Sequence, residues 1–467
     1  MAQTRRSAAS ETEIHVEHLE NGTSERAAKT MMSNGSDYDC DVLVVGGGPA
    51  GSTAAALLAG KGHRVVLLEK DHHPRFHIGE SLLPCNLPLL ERLGVLEEVE
   101  RIGMMKYGAE FVSPYHGKAV TFDFANAWDK TRPYAFQVRR SEFDHILIRN
   151  AAARGATVIE GCKVTDVDIQ GDAGTVATAR QEDGTVRTLR TRFLIDASGR
   201  DTLLASRFGI KRRNVKHNSA AMFGHFTGAK RRPGKAEGNI TVFWFDHGWF
   251  WFIPLADGTT SVGAVCWPYY FKTRKTDQTR FFLDTVALCP ALAERLEGAD
   301  LTGPVTGTGN FSYQADRMSG PGYVMLGDAF AFIDPVFSTG VYLAMTSAFE
   351  GAEAVDACLR EPAGQEQVLK RFEQTVRQGI GTFSWYIYRV TTPALRNLFM
   401  GPRNVFRVEE ALLSLLAGDV FRPSPIKTRL KIFKAIYYLN ALLDFKRNYM
   451  AWRKRRQNVR TPVGDAV

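Results

Sequence analysis

The sequence predicts a mixed α/β (α+β) fold: a parallel βαβ core assembled from separate stretches of chain, an inserted antiparallel sheet, and a helical carboxy-terminal region. Three observations predict it. The apolar run Val42–Val45 stops at glycines, a small-residue helical stretch follows, and Val65–Leu68 makes a second apolar run. Two more apolar runs, Phe193–Ile195 and Tyr323–Leu326, lead into the turns "DASGR" and "GDAF". Between them, near 105–140 and 215–310, alternation and aromatic residues replace the helical period, which returns from about Gly351 and is broken by prolines at 393, 402, 423 and 425.

Taken in order, residues 1–38 are polar and aperiodic and read as a disordered leader, without the apolar centre of a secretory signal. Segments of about 39–104, 140–205 and 310–350 are expected to build the parallel core. Segments of about 105–139 and 206–309 are expected to build the inserted sheet, and 351–467 the helical region. Within the sheet, "GWFWFIP" (248–254) reads as a strand whose alternate side chains share a face, so Trp249 and Trp251 line one surface and Phe250 and Phe252 the other.

Composition narrows the classes. Of 467 residues 44% are hydrophobic and 23% charged, which is ordinary for a globular protein, and no apolar run is long enough to span a bilayer. Six cysteines (40, 85, 162, 266, 289 and 358) stand without CxxC spacing or histidine partners. They read as small buried hydrophobes in a reducing cytoplasm, not as disulfides or a metal site. The net charge of +9 sits in the tail: residues 421–460 hold twelve Lys/Arg against Asp444 alone, leaving the remainder at −2.

Gly46, Gly48 and Gly51 form G-x-G-x-x-G directly after a strand and at the start of a helix. The first glycine permits the turn, the second lets backbone approach a pyrophosphate, and the third lets helix and strand close together. The helix N-terminus supplies amides and a favourable dipole. Glu69 ends the second strand, placed to bind ribose hydroxyls. The motif predicts a dinucleotide site.

Two further stretches resemble flavoproteins of the para-hydroxybenzoate hydroxylase superfamily. "VRRSEFDHIL" resembles the family's R-x-x-F-D pattern, with Arg140 reaching the cofactor. "YVMLGDAFAFIDP" resembles its Gly-Asp motif, with Asp328 on the flavin's ribityl or ribose hydroxyls. The resemblance implies FAD in a Rossmann-like domain. No second glycine fingerprint marks a nicotinamide domain.

"WFWFIP" resembles the W-x-W-x-I-P signature of flavin-dependent halogenases through Trp249, Trp251, Ile253 and Pro254. "FIDPVFSTG" resembles a second halogenase pattern through Phe332, Pro335, Ser338 and Gly340. "HIGESLLP" (77–84) resembles the loop that this family runs across its flavin. The resemblance spans about residues 40–350. It implies flavin contacts at Gly46, Gly47, Gly48, Ala50, Gly51, Glu69, Glu80, Arg140, Asp328 and Val341, and chloride or bromide beside Ser338, Thr339 and Gly340. It implies that FADH2 and O2 oxidise halide to hypohalous acid, while Trp249, Trp251 and Pro335 shape the site. "MMKYGAEF" (104–111) resembles the family's lysine strand, so Lys106 would form a haloamine with, or donate a hydrogen bond to, hypohalous acid. Alternation along one strand is expected to put Lys106, Gly108 and Glu110 on one face. Tryptophan halogenases carry a glutamate where this chain has Phe337, which points to a phenolic or pyrrolic substrate, free or tethered to an acyl carrier protein. A separate flavin reductase is the implied partner.

The tail "IKTRLKIFKAIYYLNALLDFKRNYMAWRKRRQNVR" reads as one helix with Leu430, Phe433, Ile436 or Tyr437, Asn440 and Leu443 on its packed side. Its basic flank is open to three readings: a solvated face, a surface for an acidic carrier protein, or contact with a membrane. No nucleic-acid motif accompanies it. Three rivals to a halogenase also stay open. A flavin ene-reductase of the geranylgeranyl reductase type would depend on lipid, and a single-component hydroxylase would oxidise NAD(P)H directly. A non-catalytic flavoprotein with a partner-binding tail would bind FAD without turnover.

Overall fold

A computed structural model describes residues 37–214, 217–309, 312–422 and 424–460. The expected leader lies outside these residues, apart from its last two positions. Five strands run parallel in the spatial order Tyr323–Met325, Val186–Asp196, Cys40–Val45, Val65–Leu68 and Thr157–Ile159. An antiparallel pair, Cys162–Ile169 and Thr175–Gln181, is added on Val186–Asp196. Strands such as Val65–Leu68 are apolar without alternation because helices cover the sheet. The helix Pro49–Gly60 packs on this sheet and is itself crossed by Arg140–Ala153 and Gly340–Arg360. That crowding explains its small residues: Ala54, Ala55 and Ala56 are all fully buried.

Seven strands form the second sheet, in the order Asp300–Thr308, Ala220–Thr227, Thr260–Cys266, Gly248–Pro254, Ile240–Phe245, Gly108–Ser113 and Lys118–Asp123. Its pairs are antiparallel except Ile240–Phe245 on Gly108–Ser113, where two segments distant in sequence meet. The alternation read in "GWFWFIP" is borne out. Trp249 and Trp251 belong to the core shared with the parallel sheet, while Phe250 and Phe252 pack into a separate core beneath the helices Pro268–Phe271 and Gln278–Ala287.

The stretch 104–111 departs from the expected single strand. It breaks at Tyr107, whose N–H donates to Asn239 Oδ1 and whose carbonyl accepts from Phe124 N–H. Met104–Lys106 therefore pairs with Ala135–Gln137 in a two-stranded sheet, and Gly108–Ser113 joins the large one. The break changes the register of faces. Lys106 and Glu110 do not share an environment: Lys106 meets Ser81 and Leu82, whereas Glu110 meets Thr241 and Arg295.

The helical region also differs from its reading. Gly340–Arg360 runs straight across residue 350, and the basic tail is two helices, Ile426–Leu443 and Phe445–Arg460, separated at Asp444. Leu430, Phe433 and Tyr437 pack as expected, but Asn440 is only partly covered and Leu443 is 89% exposed. The helix outruns the body it packs on, so its last turn has nothing to bury against. Among the cysteines, Cys85 is only partly buried. No helix among the described residues is long and apolar enough to cross a membrane.

Candidate functional site

A cavity of about 850 Å³ opens between the two sheets. One end is built by the glycine loop. Gly46 takes φ +102°, and a Cβ there would lie 2.4 Å from the Ala197 carbonyl oxygen. A Cβ on Gly51 would lie 1.8 Å from the Gly46 carbonyl oxygen, so only glycine lets the helix start this close to the strand. Gly48 lines the cavity and leaves room: its nearest neighbour to an added Cβ is Arg75 at 3.7 Å. Gly47 turns the other way and donates its N–H to Glu69 Oε2 at 2.5 Å. The helix that follows has no acid in its first turn, so its N-terminal amides face the cavity as a positive end.

The carboxylates around this end fit the hydroxyl groups of a dinucleotide. Glu69 lines the cavity beside Gly46 and Ala50. Asp328, in the turn after Tyr323–Met325, also lines it. Burial raises the Asp328 carboxyl to about 6, against the opposing pull of Arg200 and Arg140. Among the described residues no hydrogen bond reaches that carboxyl, which leaves it available to ligand hydroxyls.

Arg140 is held by protein. Its guanidinium makes a two-pronged bond to Asp144, at 2.8 and 2.9 Å, and donates to the Ile78 carbonyl at 3.0 Å. It thus pins the 77–84 loop along the cavity, where His77, Glu80 and Ser81 also line the wall. Asp144 is fully buried, which alone would raise its carboxyl, but Arg140 and Arg75 hold it below its usual value. The same Arg140, together with burial, pushes His77 down to about 4. Asp144 is the aspartate of the R-x-x-F-D stretch; its role of holding Arg140 was not read from the sequence, although an Arg–Asp pair four apart on a helix was a readable sign.

At the other end Trp249, Trp251, Pro335, Ser338, Gly340 and Val341 line the same cavity; Thr339 is buried behind them. The two indoles lie 6.2 Å apart between centroids. Trp251 donates Nε1–H to Ser261 Oγ at 3.1 Å and lies across Gly263, its direct partner on the next strand. A Cβ on Gly263 would come within 2.2 Å of Trp251 Cζ2. Gly263→Ala is therefore expected to lower unfolding free energy by about 2 kcal/mol, with most of that cost gone in a Trp251→Ala background. Denaturant melts of the four proteins check it.

Glu80 is buried, with Oε1 2.7 Å from His225 Nε2; its Oε2 has no partner among the described residues. His225 and its neighbour Phe76 were not foreseen. Lys106 does not line the cavity. It is fully buried one residue behind the wall, donating to Ser81 Oγ and to the Leu82 carbonyl, each at 2.9 Å. Its Nζ also lies 5.5 Å over the Phe124 ring. Desolvation brings its ammonium from the ordinary 10.5 down to about 7.

The glycine cradle, the ligand-facing Asp328 and the unpartnered Glu80 oxygen fit a bound FAD, and the family model for an FAD binding domain matches residues 39–379. The fold and the site define an FAD-binding flavoprotein. Comparison with curated proteins narrows the class. A flavin-dependent halogenase of Armillaria mellea is 33% identical over 91% of this chain and 88% of its own length. A tryptophan 2-halogenase of Chondromyces crocatus is 39% identical over 68% of this chain, which spans 61% of that relative. A 1H-pyrrole-2-carbonyl-[peptidyl-carrier protein] chlorinase of Pseudomonas fluorescens is 28% identical over 92% of this chain and 99% of its own. Among solved structures, the myxobacterial chondrochloren halogenase CndH superposes with TM-score 0.72 at 31% identity, covering 83% of this chain and 98% of that one. The chain belongs to the flavin-dependent halogenases.

Proposed function

We propose that this halogenase makes hypohalous acid from O2 and chloride or bromide, and that Lys106 passes the oxidised halogen to an electron-rich aromatic ring. On this reading residues 39–104, 140–205 and 310–350 form the cofactor-binding domain, and 105–139 with 206–309 form the substrate sheet. When bound as FADH2, the flavin would supply the two electrons and two protons that, with one further proton, let O2 and halide become hypohalous acid and water.

The rest falls to the chain. Gly46, Gly48, Ala50 and Glu69 would hold the nucleotide end, with Gly47 and Gly51 shaping the turn behind them; Asp328 would take the ribityl or ribose hydroxyls, and Glu80, Arg140 and Val341 would lie along the rest of the flavin. Ser338, Thr339 and Gly340 form the halide turn. Ser338 takes a left-handed φ of +57°, and Gly340 begins a 21-residue helix with no acid in its first turn. Its first N–H groups have no intrahelical acceptor and can face an anion. Trp249 and Trp251 exclude the aromatic substrate from the flavin. The observation that carries the proposal is the placement of Lys106. A lysine buried this deeply, in contact with a side chain of the cofactor cavity, has its ammonium brought down to about 7, and among the described residues no carboxylate pairs with it.

Phe337 is buried and stacks on Phe399 with ring planes 9° apart. The site offers no carboxylate there to assist an unreactive ring, which favours phenols and pyrroles, free or carrier-bound. The tryptophan 2-halogenase relative keeps indole on the assay panel. Reduced flavin would come from a separate reductase.

The test supplies FAD, a flavin reductase, NADH, O2 and bromide or chloride to free and carrier-bound phenols and pyrroles, and to tryptophan. Mass spectra are expected to show a halogen isotope pattern on a phenol or pyrrole. Halogenation of tryptophan alone would overturn the substrate class, and hydroxylated products without halogen would overturn the reaction.

A further inference from the structure

The carboxy-terminal helix Phe445–Arg460 is basic and mostly exposed, yet Arg455 turns inward. Its guanidinium donates one N–H to the Tyr388 carbonyl and another, from Nη2, to His217 Nδ1 at 2.9 Å. His217 is only 4% exposed, with its ring centroid 5.0 Å from that of Tyr388 and 5.9 Å from that of Trp267. An arginine can only donate, so Nδ1 accepts and the imidazole proton sits on Nε2. That proton is donated to Asp334 Oδ2 at 2.7 Å, where the Ser219 hydroxyl donates as well, at 3.2 Å. The other Asp334 oxygen accepts the Val336 N–H at 3.1 Å and caps the short turn Pro335–Phe337.

The chain of bonds ends at the turn that leads into Ser338. A serine at φ +57° is held against its own preference, and the surroundings must keep it there. Asp334 does so from within the loop, and its buried charge needs a cation to offset it. Burial lowers the Arg455 guanidinium to about 10, which leaves it protonated at neutral pH. Arg455 therefore supplies that charge across a neutral imidazole.

We infer that Arg455 and His217 are positioning residues for halide binding: the carboxy-terminal helix, through them, holds the Asp334-capped turn in the shape that presents its amides to the anion. This rests on the reading of Ser338–Gly340 as the halide site. It gives one residue of the basic tail an inward role that charge alone would not suggest.

The test uses the FAD-loaded full chain without aromatic substrate. Bromide is titrated while the visible spectrum of the flavin is followed, and FAD affinity and melting temperature are recorded beside it. Arg455→Gln is expected to raise the bromide Kd about tenfold with FAD affinity unchanged. His217→Phe fills the slot between Tyr388 and Trp267 but removes both hydrogen bonds, and is expected to raise it by a similar factor. Since the two residues act in series, the double variant should be no worse than the weaker single. A folded His217→Phe protein with wild-type bromide affinity overturns the inference, whatever Arg455→Gln does. So does an equal loss of FAD and bromide affinity, which marks a merely structural role. If the wild type shows no saturable response to bromide, the halide-site reading itself fails.

Discussion

Lys106→Met is expected to reduce halogenated product by about a thousandfold or more, the scale of losing a covalent or proton-transferring group. The variant should bind FAD as the wild type does, because Lys106 lies behind the cavity wall and touches it only through Ser81. Methionine matches the buried stem, and the substitution also removes an amine that folding desolvates. The sign of the stability effect follows from that. Between about 7 and 10.5 the unfolded chain holds a proton on Lys106 that the folded chain does not, so this lysine's contribution to stability is lost as pH falls through that window. The melting temperature of Lys106→Met, relative to wild type, should therefore be highest at pH 7 and below. A neutral amine can donate both hydrogens to Ser81 Oγ and the Leu82 carbonyl, leaving its lone pair for the halogen. The halogenation rate is accordingly expected to rise with pH through about 7. A rate that falls over the same range would make the ammonium, as hydrogen-bond donor to hypohalous acid, the working form.

Gly51→Ala is expected to weaken flavin binding and remove much of the stability together. The added carbon would lie 1.8 Å from the Gly46 carbonyl oxygen and 3.2 Å from Ala197 Cβ. The first of these is backbone and cannot swing aside, so the helix must lift from the strand. Overpacking of this kind costs about 3 kcal/mol, and it displaces the amides that face the cavity. FAD affinity is expected to fall about a hundredfold, a free-energy loss of similar size. Gly48→Ala supplies the contrast: no protein atom other than Arg75 lies within 4 Å of the new carbon. That variant should melt like wild type and still bind FAD poorly, because its carbon enters the space of the ligand. Fluorescence titration with FAD beside denaturant melts separates the two. If Gly48→Ala bound FAD normally, the pyrophosphate would not approach this backbone.

Much of this was legible in the sequence because it depends on local chemistry. A G-x-G-x-x-G between an apolar strand and a small-residue helix needs no tertiary information to be read, since the constraint on each glycine comes from its own turn. Alternation along "GWFWFIP" is equally local: strand geometry alone puts Trp249 and Trp251 on one face. The same rule failed four residues beyond Lys106, because Tyr107 leaves the strand to bond Asn239 and Phe124, residues far away in sequence. Face assignment survives only while the ladder is unbroken.

The tail shows the other limit. Its charge and helical period were visible, and they described a basic helix correctly as far as Tyr437. Neither could show the break at Asp444 or that Arg455 would turn toward His217, 238 residues away along the chain, and through it to Asp334. By itself the sequence determined the nucleotide loop, the aromatic faces and the residue types proposed to meet flavin and halide, since each is written in contiguous residues. Only the tertiary structure decided how deeply Lys106 is desolvated, which loop Arg140 pins, and which distant arginine offsets the charge of the Asp334-capped turn. Burial and long-range hydrogen bonds belong to the packed chain and have no local signature.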